Sequence, residues 1–159
     1  MKRVIYLAGP LFSLAEREFN RSLARSLRDW PSDSEIKDYE VFLPQEHPQG
    51  QAPAGEIFDH DKQAIENADV VVANMDGPDP DSGTSWECGY AYGIGKPVIA
   101  FRTDVRPNEE ADKMPFNLML AVSAKEVIDL RHSKAKELNI EELDELILRI
   151  VEKIKAVLL

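Results

Sequence analysis

Asp59-His60-Asp61-Lys62-Gln63-Ala64-Ile65-Glu66-Asn67-Ala68-Asp69-Val70-Val71-Val72-Ala73 changes its period halfway along. Up to Ala68 the apolar residues Ala64, Ile65 and Ala68 share one helical face. From Val70 to Ala73 every residue is apolar, which marks a short strand buried on both sides. A helix that runs straight into such a strand closes a β-α-β unit, and that unit requires a parallel sheet. Working outward, Val4 to Ala8 reads as a first strand stopped by Gly9-Pro10, followed by a helix with Phe19, Leu23, Leu27 and Trp30 on one face and ended by Pro31. Tyr39 to Leu43 reads as a second strand, and Pro44 to Gly55 as a loop long enough to wall a pocket. After the quoted stretch come a loop from Asn74 to Gly83, a helix from Thr84 to Gly95, and a strand from Pro97 to Phe101. A short fifth strand near Val127 to Leu130 precedes a last helix, striped by Leu143, Leu146, Ile147, Ile150, Ile154, Val157 and Leu158 and opened by Asn139 and Glu142 as a capping box. The order predicts an α/β sandwich with right-handed crossovers and helices on both faces.

Composition narrows the function. The 159 residues suit one domain, 1–159. A net charge of −10 repels the phosphates of a polymeric nucleic acid, so that class of partner is excluded. Hydrophobic residues at 43% and charged residues at 30% fit a globular chain, and no repeat period or low-complexity tract is present. Cys88, the single cysteine, has no intramolecular partner for a disulfide. The start reaches Gly9-Pro10 too soon for a signal peptide, and no apolar run is long enough for a bilayer. The expectation is a cytoplasmic protein without membrane association.

In an open parallel sheet the ligand lies beyond the carboxyl ends of the strands. Four segments should therefore converge: Ala8 to Phe12, Leu43 to His47, Asn74 to Gly83, and Arg102 to Asp104. Two carboxylates near them break the local pattern. Asp61 shares the apolar face of Ala64, Ile65 and Ala68, either as a first-turn residue answering the helix dipole or as a pocket residue. Glu87 lies on the core side with Tyr90, Ala91 and Ile94. Thr84-Ser85-Trp86-Glu87 fits a capping box, in which Glu87 is structural; alternatively the loop delivers Glu87 to the pocket, where the helix N-terminus lowers its pKa and keeps it an ionised nucleophile. Other chemistries lack their signatures. Gly89, Gly93 and Gly95 make no dinucleotide or Walker loop, and His47, His60 and His132 have no metal-ligand spacing with each other or with Cys88. No nucleophile elbow surrounds Ser85, and Cys88 reads as a small buried residue.

Four segments, in this order and spacing, resemble the nucleoside 2-deoxyribosyltransferases: Ile5 to Phe12, Ala68 to Ala73, Asp81-Ser82-Gly83-Thr84-Ser85-Trp86-Glu87-Cys88-Gly89-Tyr90-Ala91, and Asn117-Leu118-Met119. The fold this resemblance implies is α/β, a flavodoxin-like parallel sheet of about five strands with helices on both faces. The implied activity is exchange of the base of a 2′-deoxynucleoside, through a covalent intermediate on a glutamate that matches Glu87. The acid handling the proton on the base matches Asp61, a second base-side acid matches Asp81, and the tyrosine that hydrogen-bonds the nucleophile matches Tyr6. Asn117 matches the residue that binds the sugar 5′-hydroxyl from a neighbouring subunit. Gly9, Gly83 and Met119 lie in the matching motifs as further substrate-binding positions, and Phe12 is placed to stack on the base.

The chemistry suits those residue types. A carboxylate below C1′ stabilises the oxocarbenium-like transition state and then bonds to it, while a partly buried Asp61 with a raised pKa protonates the departing base. The second base attacks from the face the first one left, giving retention and ping-pong kinetics. The implied partners are a 2′-deoxynucleoside, a free purine or pyrimidine base and further copies of the chain in a homo-oligomer with shared sites; no metal or organic cofactor is expected. The ending Ala156-Val157-Leu158-Leu159 departs from family members that place a C-terminal carboxylate after an aromatic residue in the pocket. Two alternatives share the pocket. One is a deoxynucleoside 5′-monophosphate N-glycosidase, for which Ser82, Ser85 and Arg102 offer possible phosphate contacts although the neutral Asn117 argues against a dianion. The other is a non-catalytic nucleoside or nucleotide sensor.

Overall fold

Successive side chains of β1 (Arg3–Ala8) are all buried or partly buried, so this strand has a helix layer on each side. Ile5 and Leu7 enter one apolar cluster, Tyr6 and Ala8 another. The computed structural model describes residues 2–30, 39–47, 52–106, 114–131 and 141–159, with side chains from residue 143 in the last range. After β1 come α1 (Leu14–Asp29), β2 (Tyr39–Phe42), a single 3-10 turn (Pro44–Glu46), α2 (Ala54–Asn67), β3 (Val70–Asn74), α3 (Ser82–Gly93), β4 (Val98–Arg102), α4 (Leu118–Ser123), β5 (Glu126–Asp129) and α5 (Glu141–Leu158). The five strands form one sheet in the order β2-β1-β3-β4-β5, every neighbouring pair parallel. This is the flavodoxin-like order, with its switch point between β1 and β3. Helices α1 and α5 contribute to the cluster with Ile5 and Leu7, while α2, α3 and α4 contribute to the cluster with Tyr6 and Ala8.

The five expected strands are present within a residue or two, including the short one at β5. The helices differ more. A capping box starts α1: Ser13 Oγ accepts from the Glu16 amide at 3.2 Å, and Glu16 Oε2 accepts from the Ser13 amide at 2.6 Å. The start of α2 at Ala54 corrects the loop expected through Gly55. Pro53 supplies it, its carbonyl accepting from the Glu56 and Ile57 amides at 2.9 and 3.2 Å, and Gly55 is tolerated in the first turn. The short α4 was hidden in sequence by its length of 6 residues. The expected Asn139–Glu142 capping box lies outside the described residues.

Candidate active site

Tyr6 and Glu87 meet across the α2/α3 side of the sheet. The Tyr6 hydroxyl donates to Glu87 Oε1 at 2.5 Å, joining the middle of β1 to the second turn of α3. The short distance fits a charge-assisted bond to a carboxylate. Tyr6 is fully buried. Burial, followed by the negative charge of Glu87, pushes its phenol far above the ordinary range, so Tyr6 acts as a donor only. Glu87 is pushed up to about 7, chiefly by burial; the Tyr6 hydrogen bond opposes the shift and the charges of Asp61 and Asp81 add to it.

Two sequence expectations for Glu87 are thereby corrected. The helix N-terminus does not hold its carboxyl low, because desolvation outweighs any dipole benefit six residues into the helix. Nor does Thr84 form a capping box with it. Asp81 is the N-cap, its Oδ2 accepting from the Thr84 amide at 2.9 Å and from the Thr84 hydroxyl at 3.1 Å, which leaves the Glu87 carboxyl to Tyr6. Cys88 beside it is buried, and burial pushes its thiol up to about 12, so it stays protonated.

Asp61 is the eighth residue of α2, counting from Ala54, which removes the first-turn reading. Its charge reaches both Tyr6 and Glu87. Its Oδ1 is buried and lies 3.6 Å from Nδ1 of His60, whose side chain is 48% exposed. A chain of rings closes the circuit. Tyr6 stacks on Phe42 at 5.3 Å between centroids, Phe42 on His47 at 4.4 Å, and His60 tilts against Phe42 at 5.4 Å and His47 at 4.8 Å. Thus Glu87, Tyr6, Phe42, His47, His60 and Asp61 form a continuous arc from one carboxylate to the other. The sequence reading placed His47 at the end of a converging strand segment and weighed His60 only as a metal ligand. The available signals were Phe42, which pairs with Tyr6 in the strand register, and His60, which adjoins Asp61.

The four strand-end segments converge as expected. Buried Asn20 of α1 donates to the Pro10 carbonyl at 2.9 Å and to Gln45 Oε1 at 3.2 Å, and Gln45 Nε2 donates to the Arg17 carbonyl at 2.8 Å. A Cβ on Gly9 would come within 3.2 Å of Asn74 Cβ, so glycine there allows the first and third strand ends to close up. Asp76 links the third end to the fourth, accepting from the Thr103 and Asp104 amides at 2.6 and 2.8 Å. Arg102 is fully buried and donates to the carbonyls of Met75, Asp104 and Arg106 at 2.8, 3.1 and 3.1 Å. Its guanidinium is therefore a brace beneath the loops, closed to a phosphate.

The other sequence-derived positions lie around this centre. Phe12 is 72% exposed just past β1, with its amide given to Glu16 and its carbonyl receiving Arg17 Nη1 at 2.7 Å. Gly83 follows the cap, where a Cβ would stand 3.1 Å from Asp81 Oδ2. Asn117 caps α4 through the Met119 amide at 3.0 Å. Together with Met119 it lines a separate open pocket of about 280 Å³, bounded also by Asp79, Pro80, Ser85 and Leu120. The structure thus brings Tyr6, Glu87 and Asp61 together and leaves Asn117 and Met119 on an outer surface.

The family profile of the nucleoside 2-deoxyribosyltransferases matches residues 5–119, which carry all of these side chains. The chain belongs to that family. Among solved structures, a 2-deoxyribosyltransferase from Leishmania mexicana is similar at 26% identity, with 92% of this chain and 97% of that one covered and a TM-score of 0.64. A conserved protein from Enterococcus faecalis is similar at 25% identity, covering 96% and 99% with a TM-score of 0.70. The CMP N-glycosidase of Clostridium botulinum shares the fold at 20% identity, covering 92% and 99% with a TM-score of 0.59. No curated protein matches the chain. Proteins of this 2-deoxyribosyltransferase family are enzymes of N-glycosidic bonds, and this chain has 2-deoxyribosyltransferase-type machinery. No helix among the described residues is long and apolar enough to cross a membrane.

Proposed function

We propose that this enzyme exchanges the base of 2′-deoxynucleosides through a covalent 2-deoxyribosyl ester on Glu87, with net retention. The observation that carries the reading is the 2.5 Å Tyr6–Glu87 hydrogen bond within reach of the Asp61 charge, since it aligns one carboxylate as nucleophile and leaves a second for the proton. Ionised Glu87 attacks C1′ from the face opposite the base. As the C1′–N bond breaks its electrons pass to the base nitrogen, which takes a proton from the Asp61 carboxyl. Tyr6 orients the nucleophile throughout, and Phe12 at the mouth stacks on the base. The second base then attacks C1′ from the face the first one left, the C1′–O bond breaks with its electrons returning to the Glu87 carboxylate, and the base gives up its N–H proton to Asp61.

A nucleoside is favoured over its 5′-monophosphate as the donor. The support is Arg102, fully buried with three of its donors given to carbonyls, and the neutral amide of Asn117. Asn117 would serve the site of a second copy: α4 presents Leu118, Met119 and Val122 to solvent, and an interface would bury that apolar surface. Gly9 and Gly83 are read as substrate contacts from their place in the family motifs, and Asp81 holds the α3 end of the site.

Incubation of the purified protein with thymidine, with and without adenine, tests this by chromatography of every base and nucleoside. Deoxyadenosine should form only with adenine, and faster than thymine is released without it. Thymine released at the same rate in both samples, with no deoxyadenosine, would make water the acceptor. Release from deoxynucleoside 5′-monophosphates alone would replace the transferase reading with the monophosphate hydrolase.

A further inference from the structure

A leaving base needs a proton, and an ordinary carboxylic acid holds very little of one at neutral pH. An imidazole holds it readily there. His60 Nδ1 lies 3.6 Å from the buried Oδ1 of Asp61, and the His60 side chain is about half exposed to solvent. The ring is held in place by tilted contacts with Phe42 and His47, at 5.4 and 4.8 Å between centroids. We propose that His60 is the proton store of this site, a positioning residue that hands its proton to Asp61 for delivery to the departing base. The inference rests on the reading of Asp61 as the base-side acid.

The proton balance is simple. Imidazolium His60 passes its Nδ1 proton to Asp61 Oδ1, and Asp61 passes it to the base nitrogen that receives the C1′–N electron pair. The incoming base loses its N–H proton to Asp61, and the pair returns to its starting state. In hydrolysis, the proton released by water takes the same path. The groups facing His60 come from several elements. On its own helix stands Asp61; behind Asp61 lie Glu87 of α3 and Tyr6 of β1, while β2 offers only the neutral ring of Phe42. From the turn after β2 comes His47, itself within the field of Glu46.

Leaving groups with different needs for a proton test the proposal. Deoxyadenosine requires protonation to leave, whereas 4-nitrophenyl 2-deoxyriboside departs as a stable phenolate. His60→Ala and His60→Gln should each lower kcat for deoxyadenosine by about tenfold or more, with KM little changed, and lower the nitrophenyl rate by less than about threefold. Added imidazole should restore part of the deoxyadenosine rate of His60→Ala, because the vacated position opens to solvent. The acid-side advantage of the wild type on deoxyadenosine should be missing from the pH profile of His60→Gln. Equal losses on the two donors, or no loss with an unchanged pH profile, would overturn the inference and leave the transferase reading standing. A wild-type chain that cleaves neither donor would overturn both.

Discussion

The two faces of the sheet come from the same strands and differ in chemistry. On the α1/α5 side, among the described residues, the buried cluster of 17 that includes Ile5, Leu7, Val70, Val72, Ile99 and Phe101 contains no side-chain polar atom. On the α2/α3 side the alternate positions bring Tyr6 and Cys88 into the cluster and set Glu87 and Asp61 against it. One face supplies stability through hydrocarbon burial. The other surrenders stability by desolvating the Glu87 carboxyl, and on this side lies the proposed reactive centre. Strand alternation makes this division possible, since a residue can be assigned to chemistry without removing its neighbour from the core.

Glu87→Gln should break the comparison most deeply. The amide oxygen can still accept from Tyr6 and fit the same space, yet it cannot attack C1′, so transfer measured by chromatography should fall by about 10³-fold or more. Stability should move the other way. The carboxyl ordinarily titrates near 4.5 and is raised to about 7 in the fold, so the folded state binds the proton more tightly. The resulting stability is present below about 4.5 and is lost as the pH rises through about 7, a change on the order of 3 kcal/mol for this group. Calorimetry should therefore show the variant gaining on the wild type from pH 4.5 to 7 and holding the gain above. Because Glu87 must be ionised to act, wild-type kcat/KM on the 4-nitrophenyl donor, which needs no proton to leave, should rise up to about tenfold per pH unit toward 7 and level beyond it. A pH-independent difference in stability would refute the desolvated-carboxylate account. Had Glu87 been a cap, as its sequence context allowed, the substitution would have cost stability instead.

Ile150→Ala examines the opposite face. Ile150 is fully buried in α5 within the hydrocarbon cluster. Its truncation should cost about 2–5 kcal/mol in urea unfolding, with kcat of the folded fraction unchanged. A comparable fall in kcat would show that the two faces do not divide the work.

The sheet was legible because four of its strands are dense apolar runs, and Val70 to Ala73 fixes the parallel arrangement on its own. Helix starts were harder. Ala54 begins α2 on the strength of Pro53 carbonyl contacts, which leave little trace in apolar periodicity, and this is why a first-turn reading of Asp61 stayed open. Glu87, Tyr6 and Asp61 stood out from sequence because each interrupts an apolar face or carries a family motif. The direction of the Glu87 shift did not, because it depends on how tightly three elements close around one carboxyl. Arg102 was misjudged for a related reason: a charged residue at a strand end reads as a ligand contact until its three carbonyl partners are visible. The His47–Phe42–His60 arc joins the end of β2 to α2, and no spacing within either segment encodes it.

Asp81 offers the finest test of how structure and chemistry share a residue. Its carboxylate caps α3 through Thr84, and its negative charge also raises Glu87. The two effects separate with Asp81→Asn, because asparagine caps a helix about as well as aspartate while carrying no charge. Stability should change by no more than about 0.5 kcal/mol apart from the relief of Glu87, whereas Asp81→Ala should lose about 0.5–2 kcal/mol with the cap. The rise of kcat/KM with pH should begin lower in Asp81→Asn than in the wild type, since removing a like charge lets Glu87 ionise more easily. If Asp81 also handles a proton on the base, the plateau above that rise falls while the cap and the shift remain. If it is only a cap and a charge, the plateau is kept, and the base side of the site belongs to Asp61.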